Sequence, residues 1–489
     1  MEAADEGDEG MKARLFTDET RKWWTLVAVS FGLFMIMLDN TVVNVALPSI
    51  RSSLHMGIEG LEWVVAGYAL TFAAFMLIGG KLADFLGRRL IFMIGLTVFT
   101  AASLACGLAP NGSFLVGARV VQGLGGALMN PATLSIITAT FPPRERGTAI
   151  GIWAGTSALA LAIGPLAGGL ITEHLDWSWI FFINVPIGLL GIVASFLFID
   201  ESRDETHSSL DLPGLASSAI GLFALTYGLI EANTYGWTSG RIVASFVLSA
   251  VALTSFVVIE RRRREPMLPL EFFRNGTYTG ANLVMLLVAL AMFGVFFFVS
   301  LYMQNILGYS AVQAGAAFLP MTMLIIFIAP LAGKTSDRLG SRGLMTAGMI
   351  LLSVQLLVFS RLGVDSSFFD LLPALVIGGV GMSLTMTPSA AAATRSVPVD
   401  KAGVGSAVLN CARQVGGTMG VAIMGAIVAG EAGGERTPQA FMNGFQTALE
   451  VAAGIALVGA VVAYVLVRPH EGAGERERVA PGPAAPSVE

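Results

Sequence analysis

Gly80-Lys81-Leu82-Ala83-Asp84-Phe85-Leu86-Gly87-Arg88-Arg89 and Gly333-Lys334-Thr335-Ser336-Asp337-Arg338-Leu339-Gly340-Ser341-Arg342 are two copies of one pattern. Glycine, lysine, aspartate, leucine, glycine and arginine recur at the same places in each. Both copies are short and polar, and both lie between long apolar runs. A weaker echo pairs Pro143, Glu145 and Arg146 with Pro398, Asp400 and Lys401. Such an internal repeat divides the chain into two corresponding halves, and parallel halves around a midplane site are a transporter architecture.

The composition agrees. Of 489 residues, 54% are apolar, with 57 glycines besides, and only 13% are charged. That leaves too little charge to clothe the two or three soluble domains such a length would form. A disulfide scaffold is excluded because there are two cysteines, Cys106 and Cys411, both within apolar runs. Apolar stretches of about 20 residues cross a bilayer as helices. They fall near 23–47, 61–79, 90–109, 114–139, 149–172, 179–199, 212–231, 242–259, 278–304, 311–332, 344–361, 368–393, 404–429 and 445–467. An even number puts both termini on one side. With that side cytoplasmic, Arg51, Arg241, Arg361 and Arg436 lie outside and Arg119 and Arg413 lie within helices, which leaves 23 of the 29 Lys and Arg inside. This positive-inside bias supports both the helix count and the orientation.

The reading is an all-α polytopic membrane protein with 14 transmembrane helices, two six-helix bundles and a two-helix insert. Residues 1–22 form a cytoplasmic tail and 23–200 the first bundle. Residues 201–277 form the insert with a basic cytoplasmic loop, 278–467 the second bundle, and 468–489 a disordered cytoplasmic tail.

Several motifs, in order along the chain, carry a family resemblance. Leu38-Asp39-Asn40-Thr41-Val42-Val43-Asn44-Val45-Ala46-Leu47-Pro48 in helix 1 is the first, and the Gly80–Arg89 loop the second. Arg119-Val120-Val121-Gln122-Gly123 follows on helix 4, and Gly164-Pro165-Leu166-Ala167-Gly168-Gly169 on helix 5. Trp179–Pro186 and Leu409–Gln414 complete the set. Together they resemble the fourteen-helix drug:proton antiporter branch of the major facilitator superfamily, with its motifs A, B and C. Phe85 stands where that family usually has a basic residue, and Ala160 where motif C often has a glycine.

Asp39, placed late in helix 1, is the candidate proton-coupling residue. An ionised carboxylate there costs several kcal/mol unless paired or hydrated. Resemblance to motif B implies that Arg119 modulates it. Gly80, Asp84, Gly87, Arg88 and Arg89, with Asp337 and Arg338 in the second half, are candidate gating residues in tight inner loops. The glycines permit the turn, and basic groups pair with acids or helix C-termini. Gly164, Pro165, Gly168 and Gly169 form the antiporter motif, where small residues allow close helix approach and proline allows a kink. Asn44, Trp63, Tyr68, Gln122, Trp153, Phe293, Gln304, Asn410 and Arg413 are candidate linings of a substrate cavity.

No Walker loop, His-x-x-x-His or Gly-x-Ser-x-Gly string occurs, and the four histidines are scattered. The expectation is therefore no enzyme, no cofactor, no metal site and no nucleic-acid partner. The partners are protons, the lipid bilayer and a small hydrophobic or monocationic substrate. Apart from Asp337, helices 9 to 12 hold no acid between Tyr278 and Leu362, which argues for neutral, zwitterionic or monocationic cargo. The leading function is proton-coupled export of hydrophobic drugs or antibiotics from the cell (plasma) membrane, by a functional monomer. A dedicated exporter of one metabolite, lipid or siderophore is the alternative, and a non-transport membrane protein the remote one.

Overall fold

The structure, a computed structural model, describes residues 18–203, 211–263, 266, 268, 270–397, 402–432 and 437–469. Most of both tails and the Pro398, Asp400, Lys401 echo lie outside these residues. In hydrocarbon every backbone polar group must be satisfied within the segment, so long apolar runs fold as helices. The first group is α1 (Asp18–Leu54), α2 (Ile58–Leu86), α3 (Arg88–Gly107), α4 (Gly112–Thr140), α5 (Pro143–His174) and α6 (Trp179–Phe198). Next come α7 (Leu212–Tyr235) and α8 (Gly240–Arg262), which pack on each other. The last group is α9 (Gly276–Asn305), α10 (Ala311–Leu339), α11 (Ser341–Phe359), α12 (Phe368–Arg395), α13 (Ala402–Ala432) and α14 (Pro438–Leu466). Thirteen of these are long and apolar enough to cross a membrane, and the 32-residue α5 is the fourteenth helix.

Helix starts are capped where the chain offers a side chain. Asn111 accepts from the Phe114 amide, and Ser310 and Ser367 form capping boxes with Gln313 and Asp370. The repeated pattern folds differently from the tight loops expected. Residues Gly80–Leu86 continue α2, and Gly87 alone makes the turn into α3, at φ 125°. In the second half Gly340 does the same at φ 85°. Only glycine enters this backbone region without strain, which is why both copies keep it.

Asp39 is also placed differently. The helix does not end near residue 47; α1 runs through Pro48 to Leu54, so Asp39 lies in mid-helix. Pro48 and the polar residues after it read as a terminus, but a helix projecting beyond the hydrocarbon tolerates both.

Within the first group α4 packs on α2 and α3, while α1 packs on α5 and α6. In the last group α9 packs on α13 and α14, and α11 packs on α12 and α14. Three seams join the groups: α2 on α13, α5 on α10 and α1 on α9. Helix α7 lies along both α2 and α13.

The tightest approaches need glycine. A Cβ on Gly125 of α4 would fall 2.5 Å from the Phe99 amide nitrogen and 2.8 Å from the Gly95 carbonyl oxygen, both backbone atoms of α3. Gly117 on the same helix faces open space. Gly125→Ala should therefore lose about 1–3 kcal/mol through overpacking, and Gly117→Ala should not. Thermal unfolding of the purified protein in detergent checks the contrast.

Candidate functional site

Arg119 and Gln122 stand three residues apart on α4, so they share one face. That face turns toward α1, α2 and α3. Arg119 Nη1 donates to Asp39 Oδ2 at 2.5 Å and to Gln122 Oε1 at 2.6 Å, and its Nε donates to the Val64 carbonyl at 3.0 Å. Gln122 Nε2 donates to Asp39 Oδ1 at 3.0 Å and to Ser103 Oγ at 2.8 Å. Both carboxylate oxygens of Asp39 are thus engaged. The Cys106 thiol donates to Gln122 Oε1 at 3.7 Å. The guanidinium lies over the Tyr68 ring, 4.3 Å from its centroid, with Phe181 5.7 Å away. Asp39 is 1% exposed, Arg119 2% and Gln122 0%.

The Arg-x-x-Gln-Gly string explains itself here. A Cβ on the last residue, Gly123, would lie 2.4 Å from the Tyr68 carbonyl oxygen. Its absence brings α4 close enough to α2 for Arg119 to reach Val64. Taking two charges out of water is costly, and the attraction offsets that only when the remaining donors and acceptors are satisfied. Here both carboxylate oxygens of Asp39 and the Nε and Nη1 groups of Arg119 have partners. Protonating Asp39 would cancel its charge while Arg119 kept its own, since a guanidinium does not deprotonate in proteins. The pair therefore has two electrostatic states, separated by one proton.

The antiporter-motif glycines sit beside it. A Cβ on Gly164 would meet Thr41 Oγ1 at 1.8 Å, and one on Gly168 would meet the Val42 carbonyl oxygen at 2.8 Å. They let α5 lie against α1 within three residues of Asp39. Gly169 makes the next contact across the groups, where a Cβ would come within 2.4 Å of the Ala311 carbonyl oxygen on α10. Pro165 faces Gly315, whose own Cβ would lie 2.1 Å from the Pro165 carbonyl oxygen.

Two ends of the molecule differ. At the end away from the glycine turns, hydrogen bonds cross between the groups. Ser300 Oγ donates to the Asn44 carbonyl at 3.0 Å, Gln304 Nε2 to the Val45 carbonyl at 2.9 Å, and the Val312 amide to Glu173 at 2.9 Å. At the end of the glycine turns, several ion pairs stay within one unit. Arg88 pairs with Asp84 at 3.0 Å, Lys22 with Glu145 at 2.6 Å, and Arg21 with Asp200. Asp337 pairs with Arg395 of α12 at 2.8 Å, not with Arg338. The Arg89 and Leu90 amides donate to Glu201, which caps α3, and Arg89 also donates to the Phe196 carbonyl. The chain is closed at the first end.

The remaining candidates do not gather in one cavity. Asn44 and Gln304 belong to the closed end, and Tyr68 and Gln122 to the buried network. Trp63 donates from Nε1 to Glu231 of α7 at 3.2 Å, and so lies at the insert. Trp153 donates to Thr133 on α4 at 3.0 Å, Phe293 packs at Gly417 of α13, and Asn410 donates to the Ser406 carbonyl on its own helix. Arg413, on α13, has no hydrogen-bond partner at Nε and faces Tyr68 across the seam. Sequence reasoning missed Ser103, the Val64 carbonyl, Phe181, Glu201 and Arg395. Of these, Ser103 left a trace, three residues before Cys106 in an apolar helix, and Phe181 another, inside the Trp179–Pro186 stretch.

Residues 29–421 match the Major Facilitator Superfamily. The chain belongs to this superfamily. It is 36% identical over 414 residues to the tetracenomycin C resistance and export protein of Streptomyces glaucescens, covering 84% of this chain and 77% of that one. It is 35% identical over 483 residues to the puromycin resistance protein pur8 of Streptomyces alboniger, covering 96% of each. The multidrug resistance protein Stp of Mycobacterium tuberculosis is 36% identical over 83% of this chain and 75% of its own. In fold the chain resembles the crystal structure of a bacterial homolog of the human lysosomal transporter Spinster, in an inward-facing and unoccupied conformation. The TM-score is 0.65 at 16% identity, covering 91% of this chain and 97% of that one. A peptide transporter, POT, gives 0.67 at 15% identity, covering 90% and 93%. As a superfamily member with this many apolar helices, the chain is a multi-pass membrane protein.

Removing one partner of a buried ion pair strands the other charge, at about 3–5 kcal/mol. Asp39→Ala and Arg119→Ala should each lose stability on that scale, and the double variant should lose much less than their sum. A thermal-unfolding double-mutant cycle measures this coupling; additive losses would show that the two charges act independently.

Proposed function

We propose that this superfamily member is a proton-coupled exporter of hydrophobic drugs or antibiotics, working by alternating access. The observation that carries the reading is the sealed Asp39–Arg119–Gln122 network, an ionisable pair inside a membrane helix bundle whose charge one proton resets. The named relatives, resistance and export proteins at about 35% identity over most of the chain, support the cargo class. The arginine-rich end faces the cytoplasm of a cell membrane, with both termini there, and the closed end faces outward. The unit is a monomer, with protons and a small neutral, zwitterionic or monocationic hydrophobic molecule as its partners.

The cycle follows from these parts. Facing inward, the protein loads substrate while Asp39 gives up a proton to the cytoplasm. The α1–α9 and α5–α10 contacts then part, substrate leaves, and a proton enters from outside. Each pH unit supplies about 1.4 kcal/mol per proton, and each 100 mV of membrane potential about 2.3 kcal/mol per charge moved. Asp84–Arg88 and Asp337–Arg395, held within their own halves in this state, are free to exchange partners when the inner ends meet. Because relatives carry the names of single antibiotics, a dedicated exporter is the second reading.

Inverted membrane vesicles test the proposal. A fluorescent hydrophobic drug should accumulate when the vesicle interior is acidified and leak out when a protonophore is added. Accumulation that ignores the protonophore would contradict proton coupling. Expression that raises tolerance to one compound in a broad panel, and to no other, would establish the dedicated exporter.

A further inference from the structure

Glu62 lies one turn into α2 and is 2% exposed. It takes no part in the Asp39 network, and no described residue hydrogen-bonds or ion-pairs with it. Its carboxylate rests on the backbone of α13, in the seam between the two six-helix groups. A Cβ on Gly425 of α13 would lie 1.8 Å from Glu62 Oε1 and 2.8 Å from Oε2. Gly425 is thus the socket that receives the carboxyl group. One turn deeper, Ala66 of α2 and Ala422 of α13 are both 0% exposed and pack in one small cluster with Ile230 of α7.

The insert closes over this socket from the side. From α7, Glu231 Oε1 accepts the Trp63 indole N–H at 3.2 Å, on the α2 side of the seam. Asn233 Nδ2 donates to the Ala426 carbonyl at 2.6 Å, on the α13 side, beside Gly425. One helix therefore grips both walls. The ionisable groups that act on Glu62 are Glu59 of its own helix and Glu231 of α7, and both are acids. Helix α13 presents Gly425 and Ala422 here. The nearest cation of α4, Arg119, is engaged with Asp39 and the Val64 carbonyl.

We propose that Glu62 is a proton-operated latch on the outer seam: α2 closes on α13 only over the neutral carboxylic acid, and α7 clasps the closed form. An ionised carboxylate shut into this socket would have no counter-charge and two acids as neighbours, an arrangement that a low-dielectric interior strongly disfavours. When the seam opens, water reaches the carboxyl and stabilises its charge. Re-closure then requires one proton from the outer side. For a one-proton event the ratio of open to closed seams changes up to tenfold per pH unit. The latch rests on the alternating-access reading, but it is separate from proton exchange at Asp39: its proton is taken and returned on the same side.

The test measures the seam itself. Nitroxide labels at Ser53 and Glu431, exposed positions on the two sides, report open and closed distances by pulsed electron spin resonance in liposomes. The Asp39→Asn background removes the carboxyl assigned to proton exchange. The open fraction should rise with pH between 5 and 8, with a slope approaching tenfold per unit. Glu62→Gln should be flat with pH and mostly closed. Gly425→Ala should hold the seam open across the range, and Glu62→Ala combined with Gly425→Ala should close it again without pH dependence. A flat wild-type latch, or an unchanged slope in Glu62→Gln, overturns the proposal. If proton coupling by Asp39 is wrong, this slope persists while drug-linked proton movement does not depend on Asp39, so the two failures are distinguishable.

Discussion

A charged pair held out of water is the constraint on which the rest of this molecule depends. Asp39 and Arg119 attract strongly because little solvent screens them, and each would be intolerable without the other. Their surroundings follow from that requirement. Gln122, itself held by Ser103, completes the hydrogen bonding of the carboxylate, the Val64 carbonyl takes a third guanidinium contact, and the Tyr68 ring covers the cation's face. Gly123 and Gly164 remove side chains so that α2 and α5 can enclose the site. A proton on Asp39 removes the charge–charge attraction, and the other contacts then compete for the arginine.

The seams translate that local change into motion. The contacts between the two groups lie where α1 meets α9, α5 meets α10 and α2 meets α13, and the first two begin within a few turns of Asp39. Backbone-to-backbone approach at Gly169 and Gly315 gives a flat, close-fitting surface that can part as a unit instead of deforming gradually. At the other end Asp84–Arg88 and Asp337–Arg395 are each held within one half, so neither pair resists separation there. The insert is not a passive spacer, because α7 touches both sides of the α2–α13 seam.

Much of this was legible in the chain, because a bilayer permits few solutions. Apolar runs and the lysine and arginine bias located fourteen helices, and the Asp84 and Asp337 patterns exposed the two halves. Asp39 and Arg119 were visible as charges where charge is costly. Depth was harder to read: Pro48 and the polar residues beyond it resembled a helix end, yet the backbone continues to Leu54 and leaves Asp39 in mid-helix. The glycine turns looked like loops because they are short polar stretches between apolar runs, although nine residues of each ten extend the preceding helix or begin the next, and only the glycine between them turns. Partners were the least visible. Gln122 bonds Asp39 from 83 residues away, and Ser300 bonds Asn44 from 256, and nothing local marks such a pair. Trp63 and Gln304 were recognised as useful side chains but not as parts of the insert contact and the closed end.

Proton release on drug binding is the measurement that bears most directly on the account. Purified protein in weakly buffered detergent solution near neutral pH, mixed with a hydrophobic drug that it exports, should release protons as the drug binds. The Asp39→Asn variant should bind the drug and release none. Undiminished proton release from Asp39→Asn would contradict the assignment of the Asp39–Arg119 pair as the exchange centre.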